Sequence, residues 1–64
     1  MADYAPELKK VLRAAGWRFE RSGRGNHEIW LNPTTGKHES ADARIRSRHT
    51  ANGILKQAGL PKQF

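Results

Sequence analysis

His27 is the residue whose type best suits proton transfer near neutral pH. An imidazole with an ordinary pKa of about 6.5 can take a proton from a ribose 2′-hydroxyl or return one to a leaving 5′-oxygen. It directly follows Arg21-Ser22-Gly23-Arg24-Gly25-Asn26. In that segment small residues would let backbone N–H groups approach an anion, while Arg21 and Arg24 offer forked donors to phosphate. A plain flexible turn would use the same glycines, and the segment matches neither the phosphate-binding loop nor the dinucleotide fingerprint. A histidine at a strand start is also an ordinary surface residue, and spacing alone does not separate the two readings. A second basic stretch, Arg44-Ile45-Arg46-Ser47-Arg48-His49, runs into a helix start, where cations are mildly unfavourable. It is either a solvated loop or, with Lys37 and Arg24, part of a surface that tracks phosphates. His27, His38 and His49 recur every 11 residues, with no His-x-His or His-x-x-x-His pair, so neither a metal nor a cofactor site is expected. Nor does spacing support a triad of Ser22, His27 and Asp42.

Positioning these side chains requires a change of period along the chain. Leu8, Val11, Leu12 and Ala15 lie on one stripe of a helix from Pro6 to Ala15, with Pro6 in its first turn, Glu7 at its positive end and Gly16 as its left-handed stop. A second helix is expected from Ser47 as N-cap, with stripe Ala51, Ile54, Leu55 and Ala58 and stop Gly59. The pairs Leu12/Trp17 and Leu55/Leu60 suit the hydrophobic contact of a Schellman cap. Gly53 costs such a helix about 1 kcal/mol against Ala, which suggests a close contact or a function there.

Between the helices, Trp17 to Arg21 alternates apolar and charged residues, and His27 to Leu31 is aromatic and β-branched, so both segments read as strands. The turn Asn32-Pro33-Thr34-Thr35-Gly36 leads to a third, weaker strand from Lys37 to Ala41, with Glu39 in its middle. The expected architecture is α+β, in the order α-β-β-β-α, with a three-stranded antiparallel meander covered on one face by two helices. Trp17, Phe19 and Trp30 are expected to anchor the core, and alternation turns His27 and Ile29 to the open face.

Composition sets the limits. The chain has 64 residues, 12 Lys plus Arg against 6 Asp plus Glu, a net charge of +6 and no cysteine. It reads as one domain, 1–64, with a small core, since a domain this size buries only roughly 60% of its unfolded surface. Neither a disulfide framework nor a thiolate zinc site is possible. Charged residues within Met1 to Lys10 argue against a signal peptide, and no apolar run suits a membrane span, so a soluble, cytoplasmic protein is expected. The charge excess attracts polyanions, nucleic acid first and an acidic protein second.

Three motifs, covering most of the chain, resemble the HicA family of bacterial toxins, the ribonuclease halves of toxin–antitoxin pairs. They are Leu-Lys-Lys-Val-Leu-Arg-Ala-Ala-Gly-Trp from Leu8 to Trp17, Arg24-Gly25-Asn26-His27 in place of the family's Gly-Ser-His, and Ser47 to Leu60, ending Ile-Leu-Lys-Gln-Ala-Gly-Leu. The chain departs from the pattern at Asn26 and in the third strand, where Glu39-Ser40-Ala41-Asp42 stands in place of a Val-Pro segment. The resemblance implies a fold like a double-stranded-RNA-binding domain, a type II toxin that cleaves mRNA without metal, neutralisation by a HicB antitoxin, and His27 as the catalytic histidine. With it, Arg21, Arg24, Asn26, Lys37, Arg44, Arg46 and Arg48 become the expected RNA contacts, and no cofactor is needed. The rival readings are a non-catalytic RNA- or DNA-binding module using the same basic face, and a structural subunit that depends on a partner.

Overall fold

The structure, a computed structural model, describes residues 3–64; Met1 and Ala2, the head of the segment read as lacking a leader pattern, lie outside the described residues. The elements are α1 (Ala5–Ala14), β1 (Arg18–Ser22), β2 (His27–Asn32), β3 (Lys37–Asp42) and α2 (Arg48–Gln57). The strands form one antiparallel sheet in the order β1-β2-β3. This is the expected α-β-β-β-α, double-stranded-RNA-binding-domain-like fold.

Both helices stop as their sequences dictate. Trp17 N donates to Leu12 O and Gly16 N to Arg13 O, while Leu60 N donates to Leu55 O and Gly59 N to Lys56 O. These are paired Schellman bonds, and Gly16 and Gly59 take the positive φ that the motif requires. At the other end of α2, Ser47 occupies the N-cap position but its hydroxyl makes no capping bond. Gly53, expected to mark a close contact, has open space where a Cβ would stand, so packing does not account for it.

The core lies between the sheet and the helices. Leu8 and Leu12 of α1, Trp30 of β2, Ala41 of β3, and Ala51 and Leu55 of α2 are buried, joined by Ala5, Trp17 and Ile45 from outside the strands. Trp30 is the centre: its Nε1 donates to Glu28 Oε1 at 3.2 Å, and the Arg13 guanidinium lies 5.1 Å from its ring centroid. Lys9 of α1 donates to the other Glu28 oxygen at 2.9 Å, which ties α1 to the sheet. Asn52, half-hidden from any periodicity argument by its polarity, is buried: its Oδ1 accepts from Gln63 N and Phe64 N, and its Nδ2 donates to Phe64 O. That pins the C-terminal residues, and Phe64 meets Tyr4 edge-to-face at 5.3 Å.

Phe19 corrects the expected core. It packs edge-to-face on Trp30 at 6.1 Å, yet it is 50% exposed. It sits on β1, an edge strand with no further strand beside it, and is not enclosed as Trp17 and Trp30 are. Immediately after it β1 gains one extra residue: Phe19 pairs with Trp30, but Arg21 pairs with Ile29. This bulge turns Glu20 to the open face, where its Oε2 meets His38 Nε2 at 2.9 Å. The third strand forms despite Glu39, which faces the helices opposite Trp30 and is partly buried. Burial pushes its carboxyl above the ordinary range, only partly opposed by Lys37.

Candidate active site

Alternation along β2 divides its side chains by function. Glu28 and Trp30 belong to the helix-covered face, as their bonds to Lys9 and to each other require. His27, Ile29 and Leu31 therefore belong to the open face. Glu28 is thus occupied beneath the sheet and does not orient His27, its neighbour in sequence.

The β2–β3 register decides what His27 meets. Asn32 pairs with Lys37, and the ladder continues without a break to His27 opposite Asp42. Their side chains share the open face, and His27 Nδ1 lies 2.7 Å from Asp42 Oδ1, with both residues about half exposed. Beyond this rung Ala43 N donates to Asn26 O at 2.6 Å, closing the sheet end around the pair. Ser22 stands opposite Glu28, on the other face from His27, so two members of the Ser22, His27 and Asp42 set meet and the third does not.

The β1–β2 loop approaches His27 from the other side. Gly23 N donates to His27 O at 2.8 Å, and His27 N donates to Arg24 O at 3.2 Å. These two amides are spent within the hairpin. Gly25 takes a φ of +63°, a value that favours glycine. Gly23 has a steric reason: a Cβ there would lie 3.3 Å from His27 Cβ and 3.4 Å from Ile29 Cδ1.

Together Arg24, Gly25, Asn26, His27, Asp42 and Arg44 line an open groove of about 470 Å³ at this end of the sheet. Two arginines and an exposed histidine thus share one groove, a set of groups able to hold a phosphodiester while a proton moves. Of the other residues expected to bind RNA, Arg21 is exposed on β1, opposite Ile29, with Nε 4.0 Å from Glu20, and does not line the groove. Arg46 and Arg48 are exposed but do not line the groove. Lys37 corrects the expected basic surface. It is at the far end of β3, opposite Asn32, and its Nζ donates to Gln57 O at the end of α2, so the strand register carries it away from Arg24.

His38 shares the open face but stands opposite Leu31, four residues along β2 from His27. That separation is about 13 Å at strand spacing, too far for both imidazoles to act on one phosphodiester. Among the described residues no three His, Asp or Glu side chains converge to hold a metal ion.

Asp42 is the site residue that sequence reasoning named beside His27 but set aside, although a register signal existed. Ending the third strand at Ala41 left it one rung short, whereas counting the ladder outward from Asn32 and Lys37 places residue 42 opposite residue 27. The Gly23 contact had no such signal, because it depends on how closely the loop folds over the strand.

No helix among the described residues is long and apolar enough to cross a membrane. No curated protein and no solved structure matches the chain. The family described as the HicA toxin of bacterial toxin-antitoxin does match, over residues 5–60, from the first residue of α1 to the closing Schellman bond of α2. With that match spanning every element that builds the groove, the chain belongs to the HicA toxin family and is the toxin member of a toxin–antitoxin partnership.

Proposed function

We propose that this toxin is an endoribonuclease that cuts mRNA in the cytoplasm, with His27 as the residue that moves the proton and a HicB-type antitoxin as the partner that restrains it. The observation that carries the reading is that an exposed His27 shares one open groove with Arg24 and Arg44. RNA supplies its own nucleophile. As the 2′-hydroxyl loses its proton to imidazole, the 2′-oxygen forms a bond to phosphorus and the bond from phosphorus to the 5′-oxygen breaks. The departing 5′-oxygen takes a proton from the imidazolium or from water. The products are a 2′,3′-cyclic phosphate and a 5′-hydroxyl.

Arg24 and Arg44 bind the phosphate and offset the charge that builds on its oxygens as the bond to the 2′-oxygen forms. Asn26, at the groove wall, contacts the nucleotide beside the scissile bond. Arg21, Arg46 and Arg48 extend the attraction to flanking phosphates as the chain's net charge of +6 favours. General acid–base catalysis by one side chain contributes about 10² to 10⁴ in rate, enough for a toxin that need not turn over quickly. The antitoxin would act by covering the groove and the open sheet face beside it.

The test uses two strands of one sequence, RNA and DNA, incubated with the purified protein in excess chelator. Cleavage of the RNA alone, with 2′,3′-cyclic phosphate ends, is expected. Binding of both strands with neither cut would replace this reading by the non-catalytic nucleic-acid module.

A further inference from the structure

We propose that Asp42 is a positioning residue for His27: it holds the hydrogen on Nδ1 and so presents Nε2 to the groove as the nitrogen that takes the 2′-hydroxyl proton. The inference rests on the cleavage reading above and decides which half of the proton transfer His27 begins with.

The geometry is direct. A carboxylate oxygen can only accept a hydrogen bond, and Asp42 Oδ1 is 2.7 Å from His27 Nδ1. Nδ1 therefore carries a hydrogen whether the ring is neutral or protonated. In the neutral ring the lone pair must then be on Nε2, because an imidazole has one donor and one acceptor nitrogen. Free histidine favours the opposite tautomer, with hydrogen on Nε2, so the contact reverses an intrinsic preference. With Nε2 bare, the ring enters the reaction as a base. After it has taken the proton, the imidazolium is stabilised by the same carboxylate and can donate from Nε2 to the leaving oxygen.

The scaffold gives Asp42 this position independently of the side-chain contact. The uninterrupted β2–β3 ladder fixes residue 42 opposite residue 27, and the bond from Ala43 N to Asn26 O locks the last rung. Two further features limit where the imidazole can go: Gly23 packs against its Cβ, and Arg24 and Arg44 occupy the groove wall. Because both partners are about half exposed, their contact contributes little to stability, so removing it leaves the fold in place.

Two readouts on the purified chain test the proposal. The ¹⁵N chemical shifts of the two ring nitrogens of His27, measured above the imidazole's titration range, report the tautomer. Wild type is expected to show hydrogen on Nδ1, and Asp42→Ala to revert toward hydrogen on Nε2 with an unchanged melting temperature. In RNA cleavage, Asp42→Ala should lose at least tenfold in kcat, with KM within about twofold, an effect of the size seen when partners that orient a functional histidine are removed. Asp42→Asn keeps an oxygen acceptor without the charge, so it should retain the Nδ1–H tautomer and recover part of kcat. A wild-type ring with hydrogen on Nε2, or an Asp42→Ala chain that cuts like wild type, would overturn the proposal. An Nδ1–H ring in a chain that cuts no RNA at all would instead overturn the cleavage reading, and with it the role as base, while the orientation by Asp42 would stand.

Discussion

Gly23 and His27 approach so closely that a methyl group on Gly23 would lie 3.3 Å from the Cβ of the histidine. The loop bond from Gly23 N to His27 O holds the two backbones at this distance, so neither can withdraw without opening the hairpin. The contact is tighter than most real Cβ contacts, and the added methyl would press on His27 and Ile29 together. Gly23→Ala is therefore expected to displace the imidazole and reduce RNA cleavage by about tenfold or more, since small misplacements of a reacting group are costly. Its circular dichroism spectrum should remain that of the wild type. Cleavage at the wild-type rate would show that the loop relaxes without moving His27.

Arg24 and Arg44 belong to the groove and Lys37 does not. Each arginine replaced by alanine should weaken binding of single-stranded RNA and lower the slope of log affinity against log salt by about 0.7, the value for one lost phosphate contact. Lys37→Ala should leave both quantities unchanged. Fluorescence anisotropy across a salt series distinguishes these outcomes.

Trp30 and Phe19, packed edge-to-face, should respond unequally to truncation. Trp30 is fully buried, so Trp30→Ala should cost about 3–5 kcal/mol, enough to unfold a domain of this size. Phe19 is half exposed, and its edge-to-face contact with Trp30 is worth only about 0.5–1.5 kcal/mol beyond area burial. Phe19→Ser should therefore leave a folded chain, as measured by thermal denaturation.

Two carboxylates give stability opposite dependences on pH. Asp3 accepts hydrogen bonds from Ile45 N and Ala5 N, each at 3.0 Å; these, Ile45 first, hold its carboxyl below the ordinary value. A folded-state pKa below the unfolded one means its contribution is present above the ordinary carboxylate range and fades as pH falls through that range to the lowered value. Glu39 is shifted the other way by burial, so the folded state favours its neutral form. Its contribution is fully present below the unfolded value and is lost as pH rises through the raised one. At pH 7, Asp3→Asn should lower the melting temperature and Glu39→Gln should raise it. Both differences should shrink as the solution is acidified through the carboxylate range.

Much of this architecture was legible in the chain because local rules agreed with one another. Helix stripes, glycine stops and the Leu12/Trp17 and Leu55/Leu60 pairs all specify the same two helix ends, and the backbone bonds form there. The period-2 alternation also assigned His27 to the open face. What was not legible depended on register and on edges. The bulge at Glu20 has no glycine or proline to announce it, and the exposure of Phe19 follows from being on an outer strand, which its own sequence does not state. Lys37 looked like one more cation for the basic surface until the ladder placed it five residues from Asp42, at the opposite end of β3. Asn52 shows the complementary failure: a polar residue is buried because it meets backbone groups from the distant C-terminal segment.

The central claim is that His27 transfers the proton in RNA cleavage. His27→Ala removes a half-exposed side chain whose contact with Asp42 contributes little to stability, so the variant should fold and bind RNA through Arg24 and Arg44 much as the wild type does. The decisive measurement is single-turnover cleavage of a labelled RNA by both proteins at saturating concentration, in chelator. The expected result is a loss of at least about a hundredfold in the variant, the lower bound for removing a general acid–base group. Cleavage by folded His27→Ala at the wild-type rate would contradict the account and move the proton transfer to another residue.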